Sequence, residues 1–137
     1  MNLLSDDGLW MTEAEFVTAD GTISKACGET RIRLTENGIE NLSQVSMGGT
    51  TIVNNYEITP EGANRLSFKS TNQTLGIQRG IFDIDRNTLY SRFAIENTAL
   101  TGFEVIIRDG NVCTANGALY DHDALINTWT ATLRKVD

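Results

Sequence analysis

The spacing of turn signals constrains this chain more than anything else in it. Asp20-Gly21, Asn37-Gly38, Gly48-Gly49, Glu61-Gly62 (after Pro60) and Asp109-Gly110 are strong turn pairs. Softer breaks fall at Asn72-Gln73, Asp85-Arg86-Asn87, Thr101-Gly102 and Asp121-His122-Asp123. Most recur about every 10 to 14 residues, and the chain holds a single proline. Glycine and asparagine supply the positive φ that tight hairpin turns require. No gap between breaks is long enough for a crossover helix, so neighbouring strands must run antiparallel.

Between the breaks the residues alternate. Ile52, Tyr56 and Ile58 share one face of their segment, against Asn55, Glu57 and Thr59. Leu89, Phe93 and Ile95 oppose Tyr90, Arg92 and Glu96, and Leu125, Trp129, Ala131 and Leu133 oppose a run of threonines. A period of two over many segments marks half-buried strands. We expect ten: 9–18, 22–35, 39–47, 50–59, 64–71, 75–84, 88–97, 103–109, 111–120 and 124–135. Thr12-Glu13-Ala14-Glu15 has the form of a helix capping box, which competes with the strand reading of 9–18. Ten strands in an open sheet would leave two exposed edges, and closure removes them. The predicted fold is therefore all-β: one antiparallel up-and-down β-barrel of about 8–10 strands, forming a single domain over 1–137.

Composition narrows the partners. The net charge is −7, which repels phosphates, so neither nucleic acid nor an anionic membrane surface is an expected partner. No apolar run approaches the ~20 residues of a spanning helix. The opening Met1-Asn2-Leu3-Leu4-Ser5-Asp6-Asp7 has no basic region followed by an apolar one, so a signal peptide is not expected and a cytoplasmic location is. Cys27 and Cys113 are expected as two buried free thiols.

Gly8-Leu9-Trp10 at the start of the first strand and Arg134-Lys135 at the end of the last resemble the closing elements of the lipocalin and wider calycin barrels. The resemblance implies that Trp10 packs across the barrel floor with the Arg134 guanidinium over its indole, a favourable cation–π arrangement. Both would then be structural. The Thr-Asp-Tyr type motif of lipocalins is absent; Asp85-Arg86-Asn87-Thr88 stands roughly in its place. The short 20–21 turn has no room for the helical pair of fatty-acid-binding proteins. The lone histidine, His122, lies in a turn rather than facing inward as a haem barrel requires. The resemblance is to the barrel type, and it carries no subfamily's ligand.

Arg79 lies between Ile77 and Ile81 at strand spacing. Pointing inward, it would clamp a ligand carboxylate or phosphate; the alternative turns Phe82 and Ile84 inward and leaves Arg79 in solvent. Tyr56, Phe68, Phe93 and Trp129, with Phe16 and Ile52, are the large side chains expected inside. Ala26, Gly28, Ala94 and Ala118 are the small ones wherever they face inward. Asp121-His122-Asp123 reads as a polar surface turn rather than a metal site. No nucleophile motif, phosphate loop or zinc signature is present, and nothing calls for a cofactor or metal.

Three functions fit these observations. The first is a binding module for a small, mostly apolar molecule, with expected ligand contacts from Arg79, Tyr56, Phe68, Phe93 and Trp129. The second is a small isomerase- or hydrolase-type enzyme in the same cavity. The third is a structural or interaction barrel with a filled interior. A homodimer is compatible with each.

Overall fold

The computed structural model of the protein describes all of residues 1–137. It is all-β: ten strands, β1 (Gly8–Thr18), β2 (Ile23–Leu34), β3 (Ile39–Met47), β4 (Thr50–Pro60), β5 (Arg65–Asn72), β6 (Gly76–Asp85), β7 (Thr88–Ile95), β8 (Leu100–Asp109), β9 (Val112–Asp121) and β10 (Ala124–Lys135). Each pairs antiparallel with its neighbour in sequence, and β1 pairs with β10, so the meander closes into a barrel with no free edge. The 12–15 segment is strand. Its helix-like signature is overridden because β1 is held on both sides, by β2 and β10.

The pairing register carries one inward set round the wall. Phe16 faces Trp129 on β10 and Ser24 on β2, and the same parity continues through Val45, Ile52, Tyr56, Phe68, Phe82 and Phe93. The outward set includes Glu13, Glu15, Lys25, Glu29, Arg31, Glu57 and Lys69. β10 breaks the alternation once: a register shift between Leu125 and Asn127 turns Leu125 to the outside, so it does not share the Trp129 face. Ala26 and Gly28 are on the inner face; Ala94 and Ala118, paired with outward Arg79 and Phe103, are on the outer.

The apolar core fills one end only. Trp10, Ile32, Ile58, Leu66, Leu89, Ile106, Cys113 and Leu133 pack there. The first residues of the chain close this floor, with Leu3 and Leu4 both buried in the cluster. Burying a leucine fully stabilises by roughly 1.5–3 kcal/mol.

The floor corrects the expected plug. Trp10 is fully buried, but the guanidinium over its ring, at 5.0 Å, is that of Arg108 on β8. Arg134 is exposed on the outer wall, because Leu133 takes the inward place beside it. Arg108 is only 6% exposed. It donates to the carbonyls of Asn2 (3.0 Å) and Gly110 (2.8 Å) and to Asp6 Oδ1 (2.6 Å). Lys135 Nζ binds the other Asp6 oxygen at 2.9 Å. The Arg108 hydrogen bond, helped by Lys135, holds the Asp6 carboxyl below its ordinary range, against a smaller push upward from burial. A buried guanidinium is tolerated here because its Nε and Nη1 meet two carbonyls and a paired carboxylate.

Both cysteines are free thiols, but Cys27 sits exposed on the outer face of β2 while Cys113 is buried in the floor. Burial pushes the Cys113 thiol up to about 11.

Candidate functional site

Above the floor the barrel is open. A cavity of about 430 Å³ runs from the core to the end bounded by the turns at 19–22, 48–49, 73–75, 96–99 and 122–123. Twelve of its 21 lining residues are apolar, so most of its wall is hydrocarbon and aromatic surface. Two aromatic groups face each other across it. Tyr56, Phe68 and Phe82 step across β4, β5 and β6 with ring centroids 5.5 and 4.8 Å apart. Phe16 and Trp129 meet at 6.1 Å on β1 and β10.

Three inward glycines shape the wall. Gly80, Gly102 and Gly117 stand directly opposite Phe68, Phe93 and Trp129 on neighbouring strands. A Cβ at any of the three would overlap the facing ring. The missing side chains let the rings lie along the wall instead of across the lumen, and so keep the interior open.

Trp129 lies over Gly117 far enough to reach the next strand. Its Nε1 donates to Glu104 Oε2 at 2.7 Å. Glu104 is directly opposite Gly117 from the β8 side, so the indole spans β9 to meet it. Glu104 is the one acidic side chain in the lining, and no lysine, arginine or histidine joins it. Removal from bulk water pushes its carboxyl pKa up, and the Trp129 hydrogen bond opposes that shift in part. Burial likewise pushes the Tyr56 hydroxyl up, with the Glu104 charge adding to the effect.

The remaining polar groups ring the wall. Asn72 Nδ2 donates to Asn54 Oδ1 at 2.7 Å, and Asn72 Oδ1 ties down the amides of Thr74 and Leu75 in the turn at the mouth. Asn127 Oδ1, one inward position nearer the mouth than Trp129, is buried without a partner.

Tyr56, Phe68, Phe93 and Trp129 are thus brought together round one cavity. Arg79 is not among them. It points outward, exposed, and pairs with Glu96, while Gln78, Gly80 and Phe82 take the inward places on β6. The inward expectation for Arg79 is therefore corrected: its neighbours Ile77 and Ile81 are outward apolar residues. His122, at φ 53°, is 81% exposed and turned to Asp121 at 2.9 Å.

Sequence reasoning missed both Glu104 and Arg108, and β8 explains why. On this strand the faces are mixed: Phe103 and Ile107 are exposed on the outer one, while Glu104 and Arg108 share the inner one with Ile106. Two charges spaced with Ile106 are themselves the signal, because a charge on the inward parity of a barrel strand needs a partner or a purpose.

No protein-family model matches the chain. No curated protein matches it either. Among solved structures the chain is similar to one described as EF1p2_mFAP2b bound to DFHBI, at 16% identity and a TM-score of 0.44, covering 94% of this chain and 92% of that one.

Proposed function

We propose that the protein binds a small, mostly apolar molecule inside its barrel. The observation that carries this reading is the cavity itself: about 430 Å³ of space, faced by two aromatic groups and kept open by glycines under three of the rings. A barrel serving only as a scaffold would gain stability by filling that space, since empty volume forfeits dispersion contacts. Tyr56, Phe68, Phe93 and Trp129 supply contact area, and the mouth turns form the entry. Arg79 has no part in it. Kinship with the calycin type of barrel belongs to this reading and rests on Trp10 at the floor, with the stacking cation supplied from β8.

A second reading draws on Glu104. A carboxyl with a raised pKa in a water-poor cavity suits general acid or base work on a small substrate, as in an isomerase. Glu104→Gln separates the two, because a binding protein still takes up a neutral apolar probe and an enzyme loses turnover.

Native mass spectrometry of freshly purified protein is the direct test, followed by titration with the neutral probe N-phenyl-1-naphthylamine. The reading expects one bound small molecule per chain, or one saturable probe site. A protein that carries no adduct and gives no saturable fluorescence rise contradicts it.

A further inference from the structure

We propose that the cavity takes a cationic amphiphile, a small apolar body carrying one ammonium group that pairs with Glu104. This rests on the ligand-binding reading above and adds the charge of the ligand.

The polar lining is one-sided. Glu104 is its only acidic side chain and Tyr56 its only other ionisable group; no cation lines the space. The nearest buried cation, Arg108, sits two inward positions deeper on β8 and is already engaged by Asp6 and two carbonyls. Glu104 Oε2 is fixed by the indole, and Oε1 has no protein partner. Asn127 Oδ1, also in the lining, is a buried acceptor without a donor. An ammonium brings several donors and a positive charge, which is what these two acceptors lack. The aromatic walls add to the fit, because ring faces attract a desolvated cation. The exposed turns at the mouth bear Asp20, Asp121 and Asp123, a field that draws cations in. A fatty carboxylate would instead meet a carboxyl with no counter-charge.

The raised pKa of Glu104 fits the same picture. An arriving ammonium supplies the missing charge, Glu104 ionises, and its proton passes to solvent. The ammonium preference should then grow as pH rises through the Glu104 titration.

The test uses three probes of one chain length: octylamine, octanol and octanoate, each competing against N-phenyl-1-naphthylamine on the intact protein. At pH 8 octylamine should displace the probe at roughly tenfold lower concentration than octanol, as one charge-assisted contact implies, with octanoate weakest. Lowering the pH to 4 should bring octylamine and octanol together. Glu104→Gln should do the same at pH 8, with each displacement read relative to that variant's own affinity for the probe. The pH series on the unaltered protein gives the answer even if that variant fails to fold. Equal displacement by octylamine and octanol at pH 8, a preference that ignores pH, or tighter octanoate would overturn the inference while leaving the binding reading intact. Absence of probe binding would overturn both.

Discussion

The Trp129 indole reaches Glu104 across an intervening strand, and it does so because Gly117 stands between them without a side chain. Gly117→Val places two methyl groups where the indole ring now lies. The expected cost is about 1–3 kcal/mol from overpacking. The near-ultraviolet circular dichroism of the tryptophans should weaken as Trp129 leaves its fixed position. An unchanged spectrum with unchanged stability would show that the ring does not rest there.

Glu104 should make stability depend on pH in a definite direction. Its folded pKa is raised, so its contribution is fully present below the ordinary glutamate value of 4.5 and is lost as pH rises through the folded pKa. Glu104→Gln keeps an acceptor for Trp129 and removes the titration. The variant should therefore gain on the parent between pH 4 and pH 8, read as urea midpoints at several pH values. A parent and variant that run parallel across that range would contradict the burial of the carboxyl.

The floor should depend on Arg108 rather than Arg134. Arg108→Ala leaves Asp6 short of its main partner and strips the face of Trp10; the expected loss is about 3–5 kcal/mol. Trp10→Ala should cost about as much, roughly 3–5 kcal/mol. Arg134→Ala, on an exposed site, should stay within about 0.5 kcal/mol. Denaturant unfolding of the three single variants, and of the Trp10/Arg108 double variant for coupling, checks the ranking.

Asp6 governs the acid limb. Its folded pKa is depressed, so its contribution is present above the ordinary aspartate value of 3.8 and is lost as pH falls through the lower folded value. Asp6→Asn should be less stable than the parent at pH 6, and the gap should close toward pH 2. Thermal midpoints across that range read it directly; a gap that persists at pH 2 would show that the ion pairs do not carry the effect.

The barrel was legible because two independent signals agree. Turn pairs cut the chain into lengths that only hairpins fit, and alternation fills those lengths with half-buried strand. The expected ends of β3 are met at Ile39 and Met47, and of β10 at Ala124 and Lys135. β8 begins at Leu100 rather than 103, because Gly102 reads as a break in one dimension but is the space under Phe93 in three. The bulge in β10 left no mark that would have warned against Leu125. The aromatic half of the cavity was readable from parity. The polar half was not: Glu104 and Arg108 share the inner face of β8 with Ile106 while Phe103 and Ile107 lie on the outer one, so apolar residues mark both faces and a local pattern cannot tell which one the barrel will cover. The basic residue over Trp10 lies 98 positions along the chain, and only the closed barrel brings it there.

The central claim is that the space inside the barrel is a binding site, and a cavity-filling variant tests it most directly. Val45 lines the cavity on β3, near the mouth and away from the floor. Isothermal titration of N-phenyl-1-naphthylamine into the parent and into Val45→Trp should show saturable binding near one per chain in the parent. It should show a loss of at least about tenfold in the variant, with an unfolding midpoint that does not fall. Equal binding by both proteins, or no saturable binding by the parent, would contradict the account.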